Sequence, residues 1–370
     1  MKPVPSHLPP TPLARLPRTL RSLDDLDAAG LLPAREGLDA VAERYAVALT
    51  PTLAQAIDPA TADDPIARQF VPDAREVETL PEELADPIGD AAHSPVPGIV
   101  HRYPDRVLLK LVGVCAVYCR FCFRREMVGP GAETSLSDDA LETALAYVAA
   151  HPEIWEVVVT GGDPLVASPR RLAELMARLA AIRHVRIVRF HTRVPVAAPE
   201  RVTSALVEAL RVPGLTTYVA VHANHAREIG PEARIALARL ADAGIALVSQ
   251  SVLLAGENDD ADTLATLFRT LVECRVKPYY LHHPDLAPGT AHFRLTIRRG
   301  QELMQALRGR LSGLALPTYV LDIPGGYGKV PIGPTYLEAT PDGWHVTDYC
   351  GGEHADDEAV APADRHGAPQ

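Results

Sequence analysis

The sequence predicts an α/β fold built from repeated parallel βα units. Three observations predict it. Short apolar runs recur at Val107–Val112, Glu156–Thr160, Val185–Phe190, Thr216–His222, Ala246–Val252 and Pro278–His282. Helical stretches separate them at Ser137–Ala150, Pro169–Ala181, Pro199–Arg211, Pro231–Ala243 and Asp260–Cys274. Parallel neighbours need long crossovers, so strand then helix, repeated, reads as a parallel sheet or barrel. Third, the cysteine, glycine and glutamine motifs directly follow or end these runs, and chemistry in such barrels collects at the C-terminal strand ends.

Composition narrows the function. The chain has 370 residues and is 47% hydrophobic, enough for one large core with extensions. A net charge of −11 argues against nucleic acid, which favours a basic surface. No run approaches the length of a membrane span. The start, Met1-Lys2-Pro3-Val4-Pro5, lacks the apolar stretch of a secretion signal. Free thiolates also need a reducing compartment, so a cytoplasmic protein is expected.

The elements follow in order. Residues 1–22 hold six prolines with a basic tilt and read as a loosely ordered arm. Residues 23–98 read as an N-terminal helical extension, with a helical pattern at Gly37–Tyr45 and a Pro-, Asp- and Glu-rich part from Pro59 that packs on the barrel. The barrel core spans 99–310. Residues 311–350 form a C-terminal segment with the apolar run Pro317–Ile323, a glycine-rich turn, and a hairpin over Thr335–Thr347 around Pro341-Asp342-Gly343. The acidic tail 351–370 reads as disordered.

Three of the five cysteines, Cys115, Cys119 and Cys122, stand as C-x3-C-x2-C directly after the first run. Three thiolates suit a [4Fe–4S] cluster, and the missing fourth leaves one iron open to an outside ligand. A structural zinc site favours four ligands in paired spacings, and no second pair follows. Packed core thiols are the other alternative, and nothing nearby reads as a disulfide framework. Thr160-Gly161-Gly162-Asp163-Pro164 is either an ordinary turn or a place where a ligand approaches bare backbone. Gln250 ends the fifth run and puts an amide in the same mouth, or else satisfies buried backbone. Asp322-Ile323-Pro324-Gly325-Gly326-Tyr327-Gly328-Lys329 joins an anion-binding glycine nest to a lysine able to form a Schiff base. This suits pyridoxal phosphate, against the alternative of a surface turn with a solvated lysine. Arg102 and Arg106, flanking Tyr103, can clasp a phosphate or simply stay solvated.

In order along the chain, Tyr103-Pro104-Asp105-Arg106, the cysteine triplet, Gly161-Gly162-Asp163, Gln250–Leu254, Tyr279-Tyr280-Leu281, Asp285, His292-Phe293, Pro317-Thr318-Tyr319 and Asp322–Lys329 resemble the lysine 2,3-aminomutase family. The resemblance spans roughly 95–340. It implies a partial (β/α)6 TIM-like barrel of the radical S-adenosylmethionine type. It implies an isomerase that moves the α-amino group of L-lysine to the β carbon, using a [4Fe–4S] cluster, S-adenosylmethionine and pyridoxal 5'-phosphate. By the same resemblance, Lys329 takes the pyridoxal phosphate aldehyde. Arg102, Tyr103, Arg106, Gly325, Gly326 and Gly328 hold that cofactor. Gly161, Gly162, Asp163 and Gln250 hold S-adenosylmethionine. Arg124 takes the substrate carboxylate, and Asp285 with Asp322 takes the ε-ammonium, since a buried cation needs partners. An electron donor such as flavodoxin or ferredoxin is implied, and a homo-oligomer is compatible.

The chain departs from the family's longer members. Its tail carries only Cys350, and Asp260 stands where a partner subunit's zinc ligand would fall, so zinc is not expected. Cys274 reads as a core thiol. His191-Thr192-Arg193-Val194-Pro195 leans toward the branch that supplies β-lysine for elongation factor P, whereas Asp322 and the glycine–lysine loop resemble the free-lysine enzymes. Glutamate, arginine or alanine as substrate, and a non-catalytic iron–sulfur sensor or scaffold, are the alternatives carried forward.

Overall fold

The computed structural model describes residues 18–32, 34–128, 134–340 and 343–356. Most of the proposed N-terminal arm and all of the tail after 356 lie outside the described residues.

Among the described residues, four short helices come first: α1 Leu23–Ala28, α2 Leu38–Arg44, α3 Pro51–Ala56 and α4 Pro65–Phe70. Side-chain caps set three of them. Ser22, Thr50 and Asp64 each accept a first-turn N–H, and proline opens α3 and α4, where no N–H is missed. Leu20, Leu26, Leu49, Leu53, Ile66 and Phe70 form a small core of their own, which closes on Val117 of the cysteine loop. The arm expected to be loose thus has an ordered end. Leu20 bridges Leu49, and Ser22 caps α1.

The main sheet has nine strands in chain order: β1 Ile99–Tyr103, β2 Arg106–Val112, β3 Glu156–Gly161, β4 Ile187–Thr192, β5 Thr216–His222, β6 Ala246–Val252, β7 Lys277–His282, β8 Thr318–Asp322 and β9 Lys329–Pro331. β2 to β8 pair in parallel, while β1 and β9 are antiparallel edges. The six predicted runs are β2–β7, and Pro317–Ile323 supplies β8. β1 and β9 do not pair with each other, so the barrel stays partial. Helices cover the outside: α5 Asp138–Ala150, α6 Pro169–Ala180, α7 Val194–Ala197, α8 Ser204–Ala209, α9 Pro231–Asp242, α10 Ala261–Glu273 and α11 Ile297–Leu307. Their apolar faces and the outward strand residues form one continuous core.

Two predicted elements change. The helix expected over Pro199–Arg211 breaks, because the Thr203 hydroxyl captures the Leu206 N–H at 3.2 Å and starts α8 afresh. Part of the tail expected to be disordered is a strand. β10 Leu337–Thr340, β11 Gly343–Thr347 and β12 Glu353–Asp356 form a small antiparallel sheet. The β10–β11 pair is the expected hairpin, although Pro341 and Asp342 at its tip lie outside the described residues.

Candidate active site

The strand ends and the loops after them surround one cavity of about 550 Å³. Cys115, Cys119 and Cys122 form part of its wall, and so do Gly161, Gly162, Asp163, Gln250, Asp285, Asp322 and Lys329. Arg102, Tyr103, Arg106 and Arg124 line it too. Residues more than 200 positions apart in sequence therefore share one space.

The cysteine loop is held from outside. Arg120, 2% exposed, donates to both oxygens of the fully buried Glu76 carboxylate, at 2.6 to 3.0 Å. Arg125 bonds the same carboxylate. Backbone bonds from Tyr118 to Ala48 and from Arg120 to Gln69 fasten the loop to the N-terminal extension. On its inner side the loop rests on the glycine turn. A Cβ on Gly161 would lie 2.4 Å from the Val112 oxygen, and one on Gly162 would lie 2.3 Å from the Val114 oxygen. These glycines are required because the cysteine loop's backbone approaches them, whatever ligand they also meet. Asp163 is spent likewise. Its carboxylate accepts from Leu165 N, Thr192 Oγ1, Arg193 N and Val194 N at 2.6 to 3.1 Å.

The other wall is built around Lys329. Its backbone N–H donates to the Tyr103 hydroxyl at 2.7 Å, which links the two open edges of the sheet. Its ammonium bonds Asp322 and lies 3.3 Å from His282 Nδ1. The glycine loop before it is also tied to neighbouring backbone. Gly325 donates its N–H to the Pro87 oxygen at 3.2 Å, the Gly328 oxygen accepts from Ile323, and His93 bonds the Gly326 oxygen. Gly325, Gly326 and Gly328 are absent from the cavity lining. Their left-handed backbone makes the turn and lets Gly89 pack directly on Gly326. The Gly325 N–H and the Gly326 oxygen are thus tied to the 86–93 segment, and the Gly328 oxygen is bonded within the loop by Ile323.

That segment also brings in Asp90, a residue the sequence did not single out. Asp90 is fully buried, accepts from Arg124 at 2.9 and 3.0 Å, and lies 3.5 Å from Arg102. One carboxylate thus orients both arginines. Arg106 is tied to Asp105 at 2.7 Å and stacks 3.9 Å from the centroid of the Tyr103 ring.

The comparisons with known proteins bear on this cavity. Residues 109–268 match the radical SAM superfamily, and residues 304–346 match a family described as lysine-2,3-aminomutase. An L-lysine 2,3-aminomutase of Clostridium subterminale is 40% identical over 302 residues, 82% of this chain and 72% of that one. The chain belongs to the lysine 2,3-aminomutase family. An L-lysine 2,3-aminomutase of Escherichia coli is 41% identical, over 73% of this chain and 78% of that one. A glutamate 2,3-aminomutase of Clostridioides difficile is 37% identical, over 82% and 71%.

For a lysine 2,3-aminomutase, the cofactors are a [4Fe–4S] cluster, S-adenosylmethionine and pyridoxal phosphate. The residues fit each. Among the described residues, no three His, Cys, Asp or Glu side chains close on one point as ligands of a single ion. Three free thiols line the cavity, and a cubane takes one thiolate on each of three irons. Burial pushes all three thiols up, Cys119 to about 12. Bare thiolates are costly there, and cationic iron reverses that balance. Arg102 Nε, His191 Nε2, His222 Nε2 and His282 Nε2 are buried polar atoms without partners, and all four residues line the cavity. Polar atoms so placed call for a ligand. The three histidines come from β4, β5 and β7, and burial lowers each pKa, His222 to about 3. They are neutral hydrogen-bonding groups at physiological pH. Sequence reasoning gave them no place in the site, although His222 and His282 end predicted strands and His191 directly follows one.

The two acids differ sharply. Burial raises Asp322, but bonds from His282 and the Lys329 charge outweigh it and hold the carboxylate far below its usual range. Asp285 is pushed up to about 7, by burial first and then by the Asp322 charge, although Lys329 and Arg124 pull it down. The sign of the pH effect follows. Between pH 4 and 7 the folded chain keeps this proton and the unfolded chain does not, so stability falls as pH rises through that window. Asp285→Asn should therefore stabilise the cofactor-free protein more at pH 8 than at pH 5, by about 2 kcal/mol. Urea melts at both pH values check this, and an equal gain at each would remove Asp285 as the source.

Proposed function

We propose that the chain is a lysine 2,3-aminomutase that takes L-lysine to β-lysine. The observation that carries this reading is the pair Asp285 and Asp322 in the same cavity as the cysteine triplet and Lys329. A substrate with a distal ammonium neutralises that pair. A substrate with a distal carboxylate, such as glutamate, would meet like charge in a low-dielectric site.

When bound, the cluster with S-adenosylmethionine supplies a radical that takes hydrogen from carbon, and pyridoxal phosphate supplies an aldehyde and a conjugated ring for the migrating nitrogen. The chain's own residues place and shield these parts. Cys115, Cys119 and Cys122 ligate iron. Gln250, with the backbone of Gly161, Gly162 and Asp163, faces S-adenosylmethionine. Arg102, Tyr103 and Arg106 face the phosphate, and Lys329 the aldehyde. Arg124, presented by Asp90, takes the substrate carboxylate in a charge-assisted bond. The buried wall keeps water from the reacting carbon.

The test is anaerobic reconstitution, reduction and product analysis on a panel of lysine, glutamate, arginine and alanine. β-Lysine is the expected product, with flavodoxin or ferredoxin replacing the chemical reductant. Turnover of another amino acid in preference to lysine overturns the substrate.

A further inference from the structure

An iron–sulfur cluster takes up an electron more readily when positive charge stands near it, and a dry site magnifies the effect. Arg193 is such a charge. It directly follows β4, lines the cavity together with Cys119 and Cys122, and has a side chain only 7% exposed. Its guanidinium stands 5.6 Å from the centroid of the Phe121 ring, and Phe121 lies between Cys119 and Cys122 in the chain. On another side it stands 5.3 Å from the centroid of Phe70. Its backbone N–H donates to Asp163 at 2.7 Å, and its side chain bonds the fully buried Glu228. Glu228 is pinned in turn. It accepts from the N–H groups of Asn224 and His225, both at 2.8 Å, and from Gln69 Nε2 at 3.3 Å. The pair is therefore a fixed dipole whose positive end meets the cysteine loop. Of the charges that act on Cys119, that of Arg193 is the largest, and it outweighs the opposing charge of Glu228.

We propose that Arg193, held in place by Glu228, sets the reduction potential of the cluster, its positive charge favouring the reduced form. One electron passes from an external low-potential donor of the flavin or iron–sulfur class to the cluster, which goes from 2+ to 1+. Arg193 neither gains nor loses a proton, because a guanidinium keeps its charge in a protein. It acts as a positioned charge and not as a reactant. The inference concerns electron uptake, so it holds for whichever amino acid is turned over. A pair that only pinned the loop would leave the potential unmoved.

The test uses the full chain with its cluster reconstituted, without S-adenosylmethionine or substrate. The protein is poised at a series of potentials and the reduced cluster is counted by electron paramagnetic resonance. Arg193→Gln should lower the midpoint by about 59 mV, a tenfold loss in the one-electron equilibrium constant. Arg193→Lys keeps the charge and should recover more than half of that loss. Glu228→Gln removes the opposing charge while keeping an oxygen for the Asn224 and His225 N–H groups. It should raise the midpoint, by less than Arg193→Gln lowers it. Iron content and near-ultraviolet circular dichroism check loading and fold. Should Arg193→Gln fail either check, Glu228→Gln decides alone, a raised midpoint supporting the proposal and an unmoved or lowered one overturning it. Shifts of the same sign in Arg193→Gln and Glu228→Gln also overturn it. So does a shift that appears only after S-adenosylmethionine is added, since Arg193 would then act on that ligand. Unmoved midpoints in a protein that still makes β-lysine sink this inference alone. The expected shifts in a protein that converts glutamate instead sink only the substrate reading.

Discussion

Glu76→Ala is expected to cost the fold about 3–5 kcal/mol and to lower the iron bound per chain after reconstitution. The reason is local and electrostatic. Glu76 is fully buried and is the shared partner of Arg120 and Arg125, themselves 2% and 8% exposed. Removing it leaves two guanidinium groups in a poorly solvated place, and breaking a buried pair from one side carries a penalty of that size. Both arginines flank the cysteine triplet, so the thiols lose their support along with the charge. Guanidinium melts and iron analysis check the two effects. A variant as stable as wild type, with full iron, would show that the loop holds its shape without the clamp.

Asp322→Asn is expected to lower kcat/KM for lysine by about 100-fold or more. Cutting one partner of a buried, hydrogen-bonded charge pair commonly costs about 2–5 kcal/mol, because the other charge is left stranded. Here the stranded charge is the substrate's ammonium. The loss should be greater for lysine than for an uncharged analogue such as norleucine. That comparison separates recognition from general damage, and equal losses on both would move ammonium recognition away from Asp322.

Much of this site was legible before any fold was known. The cysteine triplet, Gly161-Gly162-Asp163, Gln250 and the glycine–lysine loop are short stretches whose spacing carries meaning by itself. The strand–helix alternation was equally plain, because burial on a sheet repeats locally and leaves its period in the residues. What some glycines make room for could not be read from the sequence. Gly161 and Gly162 make room for the end of β2 and the start of the cysteine loop, and Gly326 for His93 and Gly89 of the 86–93 segment. A glycine announces close approach but does not say what approaches.

The importance of Asp90 and Glu76 could not be read at all. Each sits in an acidic, proline-rich stretch where most carboxylates are solvated, and only burial against a distant arginine sets it apart. His282 is similar: one imidazole at a strand end, with meaning only once Asp322 and Lys329 stand beside it.

What the sequence determined alone was the repeat, the cysteine motif and the family, because periodicity and motif spacing are local properties of the chain. What only the tertiary structure decided was which charges meet: Asp90 with Arg124, Glu76 with Arg120, and Lys329 with Asp322 and His282. Most of these partners come from loops and strands far apart in the chain. Closure of the curved sheet sets their distances, and no local pattern in the sequence encodes that closure.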